Sequence, residues 1–438
     1  MSLAYFIYNL LVLIILLLYS PVLIYRIVTN KEDISSLLER FGFLSKKRIN
    51  NFRDEQVIWV HAASVGEAGA ASPVVAELKQ RFPEYKIIFS TMTNTGRDMA
   101  KKIIKEADDF IYIPFDFFMI VNKVVKAINP ELVLIMETEL WPNLIRYSKK
   151  QGAKVMLVSG RISDSSFKQY KYLGSLLKDM FKQIDILSMQ SKKDMNRIIE
   201  LGADKVKVCN NGNTKFDQEY GKVNSEVKEA IYQEFKLDSK QPIIVAGSTH
   251  DNEEEQLIPL YKELKTKFGD LILLLVPRYI ERVEEIESLY KQEGINTIRR
   301  SRIKERDSAR ESVILVDTIG ELAKLYGIAD LVFVGGSLIE RGGHNILEPA
   351  SQGKLVFFGP HMFNFKDSTK LLLENRVGIQ VSNVAELIEQ MEYYLSNPDI
   401  LEEQSRQAIE MINDNQGASW RNVELASRLL ARRKELSK

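Results

Sequence analysis

Ile243-Ile244-Val245-Ala246-Gly247-Ser248-Thr249-His250-Asp251 is a short apolar run that closes on hydroxyls and an imidazole, and an earlier stretch, Val57-Ile58-Trp59-Val60-His61-Ala62-Ala63-Ser64-Val65-Gly66-Glu67, is built the same way. Runs this short and this continuously apolar fit strands buried on both faces, each followed by an amphipathic stretch. After the first come Lys86–Phe89, Phe110–Ile113, Leu132–Met136, Val155–Val158 and Ile184–Leu187; after the second come Leu271–Val276, Val313–Val316, Leu331–Val334 and Leu355–Phe358. The alternation predicts parallel α/β sheets, and its restart predicts two Rossmann-like domains. A chain of 438 residues is also long for a single core.

The expected division is a membrane anchor at 1–28, a first domain at 29–211, a linker at 212–241, a second domain at 242–404 and a helical tail at 405–438. Met1–Tyr25 carries no charged side chain and Leu10–Leu18 is aliphatic throughout, whereas crossing a bilayer takes about 20 mostly apolar residues. Without a basic start or a small-residue cleavage site, the segment reads as a retained anchor. Arg26, Lys31, Lys46, Lys47 and Arg48 follow it, which places the rest of the chain in the cytoplasm. Pro21 either kinks the helix or leaves it partly in the interface. Sixty basic against 59 acidic residues leave no broad nucleic-acid-binding surface. One cysteine, Cys209, excludes an intramolecular disulfide and reads as a buried strand thiol.

Between a strand and a helix, Val334-Gly335-Gly336-Ser337-Leu338-Ile339-Glu340-Arg341-Gly342-Gly343-His344-Asn345-Ile346-Leu347-Glu348-Pro349 crowds glycine pairs, a hydroxyl, a cation, an imidazole and carboxylates. Glycines let backbone approach a ligand, and a helix opening near Asn345 aims N–H groups at anions, so the stretch reads as a nucleotide-sugar site. Its spacing is not that of a dinucleotide fingerprint. The hydroxyls of Ser64, Ser248 and Thr249 serve equally as anion contacts or helix caps, and the pairing of the two openings favours a ligand in a cleft between the domains. His61, His250, His344 and His361 all fall in such loops. Glu137 and Glu139, two apart beyond a strand, are expected to face the same way at the ligand-binding edge of a sheet. Lys215, Arg278 and Arg341 supply cations for a phosphate, Arg278 most directly because it follows a buried strand. No D-x-D motif and no metal-ligand spacing occurs, so the expected chemistry uses no metal or other cofactor.

Leu38–Phe43, His61–Glu67, Thr91–Gly96, Met136–Asn143, Gly212–Asp217, Ser248–His250, Gly335–Glu348, Gly359–Phe365 and Asn415–Ala418 together resemble the 3-deoxy-D-manno-octulosonic acid (Kdo) transferases of lipopolysaccharide assembly, over nearly the whole chain. The resemblance implies an inverting glycosyltransferase of the GT-B fold, with two Rossmann-like domains facing a cleft. It implies CMP-Kdo as donor, a lipid A precursor as acceptor, and the cytoplasmic face of the inner membrane as its location. Donor contacts would come from Lys215, Ser248, Thr249, Arg278, Gly335, Gly336, Ser337, Asn345 and Glu348. His61, Ser64, Gly66, Glu67, Glu137, Glu139, His250, Arg341 and His344 are further candidates for the cleft. The family's general base maps onto Glu39, which on composition alone is a surface carboxylate on a helix ending at Gly42. Asn94 stands where proline is usual, Asn213-Thr214 where serine and leucine are frequent, and Tyr279 where histidine is frequent. A GT-B transferase using another nucleotide sugar and a membrane-tethered nucleotide- or lipid-binding protein without turnover are the alternatives.

Overall fold

In the computed structural model, residues 3–29, 33–218, 223–307 and 310–436 are described. Seven parallel strands form the first sheet: β1 (Val57–His61), β2 (Lys86–Thr91), β3 (Asp109–Tyr112), β4 (Leu132–Met136), β5 (Lys154–Gly160), β6 (Ile186–Met189) and β7 (Val208–Asn210). Their order is β3-β2-β1-β4-β5-β6-β7. β1 pairs with β2 through Val57 against Lys86 and with β4 through Ile58 against Leu132. The order reverses between β1 and β4, so the carboxyl ends of these two strands form the crevice that doubly wound sheets use for ligands. Helices cover both faces, which is why β1 and β4 are buried at every position and why they read as unbroken apolar runs. Four turns on this edge end in a hydroxyl, Ser64, Thr93, Ser163 and Ser191, each accepting a backbone N–H of the helix it starts. Such caps are each worth about 1 kcal/mol.

The second sheet comprises β8 (Ile243–Thr249), β9 (Ile272–Pro277), β10 (Thr297–Arg299), β11 (Val313–Leu315), β12 (Leu331–Val334), β13 (Leu355–Phe358) and β14 (Gly378–Gln380). It is parallel, in the order β10-β11-β9-β8-β12-β13-β14, with its switch point between β8 and β12. β10 and β14, which the apolar-run pattern missed, are three-residue edge strands. With little surface to bury, an edge strand such as Thr297-Ile298-Arg299 carries no continuous apolar signal.

Residues 1–218 together with 415–438 cluster as one compact unit, and residues 219–414 as another. The segment 212–218, placed with the linker on composition, packs in the first unit, where the Thr214 hydroxyl lies 3.0 Å from that of Ser159. The helix Ser225–Phe235, placed there too, buries Ile231, Tyr232 and Phe235 in the second. The tail is two helices, Pro398–Asn415 and Ala418–Leu436. The latter sinks Val423, Ala426, Leu429 and Leu430 into a core that also contains Val74, Val75 and Leu78.

An N-terminal helix runs from Leu3 to Val28, through Pro21, and its segment Leu3–Leu23 is long and apolar enough to cross a membrane. Of the basic residues expected to orient it, Lys31 and the Arg26 side chain lie outside the described residues. Cys209 does sit on a strand, but half-buried rather than enclosed.

Candidate functional site

Glu39 lies in the last turn of the helix Ile34–Arg40, which Gly42 ends in a left-handed conformation at φ 79°. The carboxylate is 7% exposed, not on the surface as composition alone suggested. Its Oε1 accepts the Tyr112 N–H at 2.8 Å, and its Oε2 is 3.1 Å from an Arg48 nitrogen and 3.6 Å from one of Arg97. Arg48 is held in turn by Asp109 at 2.6 Å. Glu39, Arg48, Arg97 and Asp109 line a cavity of about 480 Å³ with Ser35, Phe43, Ser45, Lys47, Asn51 and Asp108. Its charged lining balances the cations Lys47, Arg48 and Arg97 against the carboxylates Glu39, Asp108 and Asp109, which suits a polar, hydroxyl-bearing ligand whose anionic groups the cations can hold.

At the carboxyl ends of β1 and β4, the first unit gathers a second cluster. His61 is fully buried; its Nδ1 meets the Ser90 hydroxyl at 2.9 Å and its Nε2 lies 3.8 Å from Glu139. Ser64 and Glu67 form a reciprocal cap: the Glu67 N–H donates to the Ser64 oxygen, while Glu67 Oε2 accepts the Ala63 N–H at 2.8 Å. Burial, reinforced by Glu137 and Glu139, pushes the Glu67 carboxyl up to about 7. Glu137 does not follow the strand's alternation, because it turns left-handed at φ 51° and pairs with Lys215 at 2.6 Å. Glu139 accepts the Trp141 indole N–H at 2.9 Å. Lys215, expected to touch the donor, thus lies in the first unit on a carboxylate of that unit. At Gly66 an added Cβ would meet nothing within 4 Å, which leaves this turn open.

In the second unit the switch point brings β8, β9 and β12 together. Ser248 sits at φ 56°, where the register of β8 against β9 shifts, so Ser248 and Thr249 belong to a strand end and cap no helix. His250 and His344 meet edge to edge with their rings nearly parallel, ring centres 5.1 Å apart and Nε2 atoms 2.8 Å apart. One of those nitrogens must carry a proton and the other accept it, so the pair disfavours double protonation. Burial, then Arg341, Arg278 and Arg282, hold His250 below the ordinary imidazole range. His344 is lowered to about 4 by burial, His250 and Arg278. Those shifts put Arg278 and Arg341, both exposed, in one positive field around the imidazoles. Tyr279 stands edge-on to His250 at 5.7 Å.

The glycine loop differs from expectation in what its N–H groups do. Those of Gly336, Ser337 and Leu338, with that of His250, all donate to the buried carboxylate of Glu253, at 2.6 to 3.1 Å. The carboxylate fills the concavity that an anion was expected to fill, so these N–H groups are already satisfied within the chain. Gly335 is required here because a Cβ would fall 2.5 Å from the Ser248 carbonyl oxygen. The helix expected near Asn345 is short, Leu347–Ser351, and just ahead of it Asn345 Oδ1 accepts the Leu347 N–H at 3.1 Å. His361 reaches the same loop, its N–H donating to Ser337 O at 3.0 Å.

The family model described as 3-deoxy-D-manno-octulosonic-acid transferase (kdotransferase) matches residues 35–218. The 3-deoxy-D-manno-octulosonic acid transferase of Haemophilus influenzae is 34% identical over 90% of this chain and 92% of its own length. The chain belongs to the Kdo transferase family. A bifunctional glycosyltransferase/methyltransferase of Fusobacterium nucleatum is 37% identical over 88% of this chain, which spans 58% of that protein's length. A glycosyltransferase structure from Rickettsia africae superposes with a TM-score of 0.55 at 17% identity, over 86% of this chain and 99% of that one; it shows that the fold is the GT-B glycosyltransferase fold.

For this Kdo transferase family member, Glu253 and Asp116 are among the buried carboxylates that escaped the sequence. Glu253 follows Asp251-Asn252 and precedes Glu254-Glu255, a run that reads as an ordinary acidic helix start. Asp116 accepts the Asn143 and Leu144 N–H groups at 2.9 Å, satisfying the start of the helix Pro142–Lys150. Neither carries a local signal, because each is bonded to segments distant in sequence.

Proposed function

We propose that this enzyme moves Kdo from CMP-Kdo to a sugar hydroxyl of a lipid A precursor, with inversion, at the cytoplasmic face of the inner membrane. Glu39 is the general base: it takes the proton of the acceptor hydroxyl as that oxygen bonds the anomeric carbon, while CMP leaves with the electron pair of the broken bond. Its place in an open polar cavity, against Arg48 and Arg97, is the observation that carries this assignment. Arg48 and Arg97 occupy Oε2, so an acceptor phosphate that engages them frees that oxygen for the proton. Arg278, Arg341, Asn345 and the His250–His344 pair serve the donor, with Glu348 and the Ser248–Thr249 turn beside them. Stabilising the departing phosphate falls to the arginines.

Purified protein, CMP-Kdo and a tetraacylated lipid A precursor, mixed without added divalent metal, are expected to yield lipid heavier by Kdo-sized increments in a mass spectrum. Glu39→Gln keeps an oxygen for the Tyr112 N–H and is expected to lose about 10²–10⁴ in rate while its unfolding curve shows a folded chain. Retained turnover in that variant would remove Glu39 from the mechanism; no increment from folded wild type would remove CMP-Kdo or the acceptor.

A further inference from the structure

Extended as one helix, Leu3–Val28 is 26 residues long, about 39 Å at 1.5 Å per residue, which suffices for a bilayer crossing. Its contacts argue otherwise. Tyr8 donates its hydroxyl to Asp116 at 2.8 Å; Asn9 Oδ1 accepts from the Asn143 side chain at 3.0 Å and from the Phe118 N–H at 3.1 Å. Tyr5 is buried, with Gln183 donating to its hydroxyl at 3.0 Å and the Arg146 guanidinium over its ring at 4.5 Å. Beyond the helix the chain returns to the same place: the Phe115 N–H donates to Arg40 O at 2.9 Å, three residues from the N–H that holds Asn9. Residues 9 and 40, on either side of the apolar stretch, are therefore fastened to one short segment of the first unit.

Shielding follows the same logic. Ala4, Tyr5, Tyr8, Asn9, Val12, Leu16, Ser20 and Leu23 are the less exposed positions among the described side chains, recurring every three or four residues as one face of a helix does. Phe6, Ile7, Leu10, Leu11, Ile15 and Leu18, around the rest of the circumference, are exposed. An uncharged surface of this size needs a non-aqueous cover. Beside Tyr5 opens a cavity of about 560 Å³ whose cations include Arg146, Lys150 and Lys182, placing positive charge next to the apolar face.

We infer that this helix is a monotopic anchor on an anionic lipid surface: the Asn9–Asn143 and Tyr8–Asp116 contacts latch its first turns to the globular unit, so that both of its ends stay on one side of the bilayer. A crossing would carry Asn9 to the far side and leave Asp116 and Asn143 buried without these partners. The inference rests on the membrane association proposed above.

With Cys209→Ser as background, Asn9→Cys combined with Asn143→Cys in the full chain, floated on vesicles of phosphatidylethanolamine and phosphatidylglycerol, is expected to cross-link on mild oxidation and still float. A protease-cleavable tag ahead of Met1 on the otherwise unaltered chain, reconstituted in sealed vesicles, is expected to be removed by protease on the side where the globular units are digested. A tag protected until detergent is added, or a cross-link that abolishes flotation, would overturn the latch. Equal flotation on neutral phosphatidylcholine vesicles would overturn the anionic preference. Failure of the wild-type chain to float on any vesicle would instead overturn the membrane association itself.

Discussion

Burial pushes the Glu348 carboxyl up to about 7, from an ordinary value of 4.5. A carboxyl with a raised folded pKa holds its proton in the native state where the unfolded chain has lost it, so it lowers stability as pH rises from about 4.5 through 7. At about 1.4 kcal/mol per pH unit, the cost that accrues between pH 5 and pH 8 is about 2–3 kcal/mol. Glu348→Gln removes it. Chemical denaturation of wild type and variant should show the variant's relative stability growing by about that amount between pH 5 and pH 8; an unchanged difference would mean the carboxyl titrates normally. Glu348 was nominated from the sequence because it lies in a dense polar stretch. Its shifted titration was not legible there, because it comes from packing against residues distant in the chain. Glu67 carries the same lesson, since Glu137 and Glu139 raise its pKa further from another strand end.

The glycine loop and its buried carboxylate form one element, although β8, β12 and the helix beginning at Glu253 contribute to it. Four N–H groups converge on Glu253, and each unsatisfied buried N–H costs about 1–3 kcal/mol. Glu253→Ala is therefore expected to destabilise the second unit by at least about 3 kcal/mol and to raise hydrogen exchange at residues 336–338, with smaller effects for Glu253→Gln. Unaltered exchange there would mean that the loop holds its shape without the carboxylate. Strand positions on both sheets followed from continuous apolar runs, because burial on both faces removes the polar alternation. β10 and β14 escaped because an edge strand buries too little to leave that trace. The pairing of Glu137 and Glu139 on one face failed because a left-handed turn interrupts the strand period just beyond β4.

At the scale of the molecule, the last helix belongs to the unit in which the chain began. Asp217 accepts the Gly417 N–H at 2.6 Å and the Ser419 N–H at 2.5 Å, and the apolar face from Val423 to Leu430 completes the first unit's core. Burying each such valine or leucine is worth about 1.5–3 kcal/mol, comparable in sum to a domain's whole stability. Deleting residues 416–438 should lower or abolish the first unit's unfolding transition while leaving that of the second in place. A calorimetric scan distinguishes this from a chain in which both transitions fall together. From local sequence alone this was only a helical tail at 405–438.

Strand runs, restart of the pattern, apolar N-terminal stretch and loop composition were all local properties, and the amino-acid sequence by itself determined them: two parallel α/β units and the edges at which their polar groups collect. Only the tertiary structure decided which groups meet. It placed Glu39 against Arg48 and Arg97, Lys215 on Glu137, Glu253 inside the glycine loop and Asn9 on Asn143. Partnerships of this kind depend on residues far apart in the chain, and hydrogen-bond and charge complementarity over such separations leaves no periodic mark on the sequence.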